Sequence, residues 1–212
     1  MAVGAGLRTY GRIKLHHARA VRFTLRLPSG EFWQYPEIKM PAMKKRSRKV
    51  SRVNPEQDLR KQLVQLLKGG QAHVSFADAV DGIPVKKRGI LAKGLEHTAW
   101  QLLKHAHLAQ WDILEFCRNP DHVSPDFPEG YWPKTPIPPN ATAWEHTVRD
   151  FHYDLLQMIA LVENPKTNLH GRIPHGTGQT VLREVLVLAD HNAYHTGQIV
   201  DLRRALGIWP EA

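Results

Sequence analysis

The chain has 212 residues, 29 of them Lys or Arg and 20 Asp or Glu, with a formal net charge of +9; that length suits one domain with a sizeable core. The charge is lopsided: residues 1–50 hold 12 basic against 2 acidic side chains, so the remaining 17 basic and 18 acidic ones nearly cancel, and the body lacks the basic excess of a nucleic-acid binder. A lone Cys117 excludes an internal disulfide, and no apolar run approaches the roughly 18 residues that span a bilayer, so a cytoplasmic protein without membrane contact is expected.

Residues 1–50 have no sustained helical period, and their arginines lack the compact apolar segment of a signal peptide. They contain one alternating patch, "VRFTLRL", and end in the basic run "KKRSRK". Disorder is expected, because an isolated strand has no evident partner. Too early a start codon would account for such a leader, with Met40 and Met43 as alternative starts; a nucleic-acid-binding arm at residues 44–49 is the weaker alternative. A chain begun at Met43 is expected to keep its helicity and stability.

Ordered structure is expected from "NPEQDLRKQLVQLLKGG", where Asn54 caps, Pro55 takes the first helical position, Leu59, Leu63, Leu66 and Leu67 form a stripe, and Gly69-Gly70 stops the helix. "SFADAVDGIP" reads as a short turn capped by Ser75. A second long helix starts near Thr98 and stops before Pro120. A connection of some twenty residues with seven prolines follows, a length that suggests a cover for a site. A third helix begins at "TAWEHT", with Thr142 and Glu145 as a capping box, and keeps its period through Trp144, Val148, Phe151, Leu155, Ile159 and Val162. The last runs from near Gln179 to Leu206, ahead of Gly207. Four long amphipathic helices and no convincing body strand predict an all-α four-helix bundle over 51–212. Trp100, Trp111 and Trp144 are expected in its core.

In the last helix, His191 and His195 stand four residues apart, about 40° around one face, so both rings can close on one ion. Partly exposed or backbone-bonded histidines would look the same, and a third inward ligand from a facing helix decides. Eleven of the 13 histidines lie beyond residue 50. His105, two positions after Leu103 in the second long helix, is the best placed; His107 falls on another face. The H-E-x-x-H pattern of peptidases is absent, with Asn192 following His191. Asp190 and Asn192 point off the His191 face and are not expected as ligands. Cys117, about 120° around the helix from His105, reads as a small buried hydrophobe. Asp112, seven residues beyond His105, is a candidate to orient an imidazole or a substrate, and His175, in the Gly-containing loop before the last helix, is a candidate to reach over the open coordination position. Three imidazoles suit zinc, nickel or ferrous iron, and each ring's second nitrogen is expected to find an acceptor. Protonation of the rings near pH 6.5 is expected to weaken binding.

The segments "WQLLKHAHLAQWDILEF", "IPHGTGQT" and "ADHNAYHTGQIVDLRRALG" together resemble the DinB/YfiT-like family of metal-dependent enzymes over about residues 54–209. The resemblance implies a four-helix bundle with one histidine ligand on the second helix and an H-x-x-x-H pair on the last, here His105, His191 and His195, and often a homodimer. It also implies a thiol S-transferase that joins a low-molecular-weight thiol to a small electrophile. The competing readings are a non-catalytic metal-binding or stress-associated protein and, more weakly, nucleic-acid binding through the leader.

Overall fold

In a computed structural model the described residues are 54–210 and four short strands earlier in the chain. The chain divides into two compact units, 1–51 and 52–212. In the first, β1 (Ala20–Val21) pairs antiparallel with β4 (Ile38–Lys39), and β2 (Thr24–Arg26) pairs with β3 (Phe32–Gln34). The alternating patch therefore has a partner after all, opposite the aromatic-rich "FWQ", a segment with too short a period to announce itself. The disorder expected elsewhere in 1–50 concerns residues outside those described.

The described part of the second unit is all-α, with α1 (Pro55–Lys68), α2 (Phe76–Val80), α3 (Ala99–Arg118), α4 (Ala143–Glu163) and α5 (Val181–Ala205). No helix among the described residues is long and apolar enough to cross a membrane. The Asn54 side chain accepts from the N–H groups of Glu56 and Gln57 at 3.2 and 3.3 Å, and Gly69, at φ 66°, ends α1. Leu63, Val64 and Leu67 are its buried side chains. Leu66 is 47% exposed: it stands about 100° from the centre of that arc, so Val64 takes the place expected for it.

At the start of α3 the Thr98 hydroxyl accepts from Gln101 N at 3.2 Å while Gln101 Oε1 accepts from Thr98 N at 3.0 Å, a complete capping box. The box expected at Thr142 is not formed. Thr142 has helical dihedrals and turns its hydroxyl to Asn140 Oδ1, while Glu145 pairs with Arg88 at 2.8 Å. Trp100 and Trp144 are core residues, but Trp111 is half-buried, edge-on to His122.

α3 packs against both α4 and α5, and α1 against the same two helices. Two apolar clusters result. One joins α2, the first halves of α3 and α4 and the end of α5, including Leu103, Trp144, Ile199 and Leu202; the other joins α1, Leu114, the end of α4 and the start of α5, including Met158, Val162, Val185 and Leu188. Between them lies a buried polar band: His105 and Gln110 on α3, Asn192, His195 and Thr196 on α5. On α5 the apolar stripe is interrupted between Leu188 and Ile199, and the band fills the gap.

Candidate metal centre

α3 and α5 carry three imidazoles into this band. One ligand nitrogen from each of His105, His191 and His195 lies within 4.8 Å of the others, close enough to hold a metal ion. Ring centroids are 5.0, 4.6 and 4.4 Å apart, and His105 Nε2 approaches His191 Nε2 at 3.1 Å. His105 and His195 are only 9% and 5% exposed. Among the described residues this group contains three ligands, which leaves coordination positions for exogenous groups.

The second nitrogens show how the rings are held. His105 Nδ1 donates to the Tyr131 carbonyl at 3.0 Å. His195 Nδ1 donates to Gln198 Oε1 at 2.7 Å, and the other end of that amide donates to the Tyr194 hydroxyl at 3.2 Å. Each bond puts the proton on Nδ1 and turns a bare Nε2 inward, the form a ligand needs. His191 breaks the expected pattern: its Nδ1 is buried without a hydrogen-bond partner.

All three rings resist protonation. Burial, with His105 beside it, pushes His191 down from 6.5 to about 4. Burial, with His191 and His105 beside it, does the same to His195, and burial lowers His105. The 6.5 window expected from free imidazole therefore does not govern proton competition; it moves down toward 4. In the unfolded chain these rings take up protons below 6.5 whereas the folded chain does not until about 4, so metal-free stability is present above pH 6.5 and is lost as pH falls toward 4. Thermal melts of the metal-free chain should show that loss, and His191→Gln/His195→Gln should flatten it. Equal slopes for the two proteins would refute the assignment.

Thr98, His105 and Asp112, seven residues apart, lie along one face of α3, and the proline-rich connection runs down that face. Thr98 Oγ1 donates to the Pro136 carbonyl at 2.7 Å. Trp132 stacks on His105, with centroids 3.8 Å apart and planes 2° off parallel, and His97 stacks on Trp132 at 4.0 Å. Asp112 accepts from Tyr131 Oη and from His122 Nε2, both at 2.7 Å. Asp112 thus touches no ligand ring and acts on His105 only through Tyr131, whose phenol is pushed up to about 12 by burial and by Asp112.

His175 stands apart from the cluster, its Nε2 bonded to the Phe116 carbonyl at 2.7 Å, eleven residues and about 16 Å along α3 from His105. His107 faces α4, 3.4 Å from Asp154 Oδ2. The Cys117 thiol, pushed up to about 12 by burial and Glu184, packs against the second apolar cluster. Sequence reasoning missed His97, Tyr131, Trp132, Gln198 and Gln110 as parts of the site. Only Gln198, three residues beyond His195 on the same helix, left a local signal.

Comparison of this chain with protein-family models, with curated proteins and with solved structures finds no match.

Proposed function

We propose that the chain is a divalent-metal-dependent enzyme on a four-helix bundle of the DinB/YfiT-like type, transferring a low-molecular-weight thiol to a small electrophile. The observation that carries this reading is the convergence of His105, His191 and His195 within 4.8 Å. Zinc, nickel or ferrous iron would suit such a donor set. A divalent ion there supplies a Lewis-acid position at which a thiol sheds its proton near neutral pH.

The chain's own residues support an external thiol. Its one cysteine, Cys117, keeps its proton up to about 12 and is not a nucleophile at neutral pH. Tyr131 and Gln198 orient two of the rings, and Trp132 closes one face of His105. Displacing water there strengthens any charge held by the rings.

Metal analysis of protein purified without a histidine tag, combined with conjugation assays using glutathione, bacillithiol and mycothiol, tests the proposal. About one ion per chain, with metal-dependent loss of thiol and electrophile together, is the expected result. An ion bound at these histidines with no conjugation by any of the three thiols would point to the non-catalytic alternative. Absence of binding would remove the metal-dependent reading altogether.

A further inference from the structure

The His191 ring has a proton-placement problem. His105 Nδ1 faces the Tyr131 carbonyl at 3.0 Å; a carbonyl only accepts, so in the neutral ring the proton is on Nδ1 and Nε2 is bare. His191 Nε2 lies 3.1 Å from that bare nitrogen and is therefore the donor when no ion intervenes. This leaves His191 Nδ1 as a lone pair. Among the described residues four buried side-chain polar atoms lack a partner, and two of them are on consecutive residues: His191 Nδ1 and Asn192 Oδ1. A metal ligand needs the opposite tautomer, with Nε2 bare and Nδ1 protonated.

The Asn192 amide cannot turn to repair this from its own side. Gln110 Nε2 donates to the Phe151 carbonyl at 2.5 Å, which fixes Gln110 Oε1 as the acceptor of Asn192 Nδ2 at 3.0 Å. Flipping Asn192 would set oxygen against oxygen in a fully buried place, at the cost of an unmet acceptor. Asn192 Oδ1 is therefore an acceptor held without a donor, next to a ring that must gain one at Nδ1 in order to ligate.

We propose that Asn192, locked by Gln110, is the positioning residue for His191: its Oδ1 accepts from Nδ1–H and holds the ring in the tautomer whose Nε2 is free for a metal ion. This rests on the metal-centre reading above. The proton balance closes on one ring: the N–H bond at Nε2 breaks, one forms at Nδ1 through solvent, and the ring stays neutral. Both unpartnered atoms are satisfied in that change, and all three histidines then have a second-nitrogen acceptor: Tyr131 O, Gln198 Oε1 and Asn192 Oδ1.

Long-range proton–nitrogen correlation spectra of the full chain, labelled in histidine, read each ring nitrogen directly. His191 is expected to carry its proton on Nε2 without metal and on Nδ1 when loaded with zinc. Asn192→Leu removes the acceptor at similar volume and is expected to weaken zinc binding, followed by competition with a chelating dye, about 10- to 100-fold. A bare His191 Nδ1 in the zinc-loaded chain overturns the inference, as does Asn192→Leu binding zinc within about twofold of the wild type. Should Asn192→Leu fail to fold, the wild-type spectra decide alone. A wild-type chain that ignores zinc, or binds it equally after His105→Ala, overturns the metal centre itself; zinc bound at the three histidines with a bare Nδ1 overturns only the role of Asn192.

Discussion

Replacing His105, His191 or His195 by Ala should weaken zinc binding by more than about a hundredfold, beyond the 10- to 100-fold typical of losing an outer partner of a ligand. The expectation follows from the three-ring arrangement, because two imidazoles cannot reproduce the affinity that three nitrogens within 4.8 Å of one another can offer an ion. The same substitutions should leave the helices intact. Helical order here comes from the two apolar clusters flanking the polar band, and each Ala removes a ring that is neutral and costly to bury. Equilibrium dialysis measures the affinity and far-UV circular dichroism the helicity. Binding that drops less than about tenfold in all three variants would place the ion elsewhere.

Trp144→Ala should lower the unfolding free energy by about 3–5 kcal/mol. The indole is 4% exposed, within the cluster that unites α2, α3, α4 and α5, and the Arg88 guanidinium lies over its ring at 4.7 Å. Removing it opens a large void and takes away a cation–π contact worth about 0.5–1 kcal/mol. It also frees Arg88, which joins the segment before α3 to Glu145 on α4. Urea unfolding followed by fluorescence of the remaining tryptophans and by circular dichroism gives the value. A loss below about 1 kcal/mol would mean that the neighbours close over the gap. Trp111→Ala, at a half-buried position, should cost less.

The helices were readable because their signals are local. Asn54 and Pro55 start α1, Gly69 stops it, and Thr98 starts α3, each within one turn of what it controls. His191 and His195 were readable for the same reason, as one turn of one helix. The misjudged features depend on partners remote in sequence. Glu145 forgoes a local cap for Arg88, 57 residues away, and Asp112 is claimed by Tyr131 and His122 from the proline-rich connection. Leu66 obeyed the helical period but stands at the open edge of the bundle, 47% exposed. Asn192 was read only as lying off the His191 face, yet it is buried at the place of a core residue in the α5 stripe, and a polar residue there needs partners. That Gln110 is one of them, 82 residues earlier, only packing reveals.

The connection between α3 and α4 holds Tyr131 and Trp132 against His105 with few bonds, and its seven prolines explain why few suffice. Ordering a flexible backbone removes about 1–2 kcal/mol of entropy per residue, and a stretch this long would ordinarily fluctuate. A proline in a compatible conformation lowers that loss by about 0.4–1 kcal/mol because the unfolded chain is already restricted. Seven of them together remove about 3–7 kcal/mol of it, as much as several hydrogen bonds at about 1 kcal/mol each. The cover over His105 is thus cheaper to order because the denatured chain is already restricted, and replacing prolines remote from the ring would weaken its hold without breaking any contact to it.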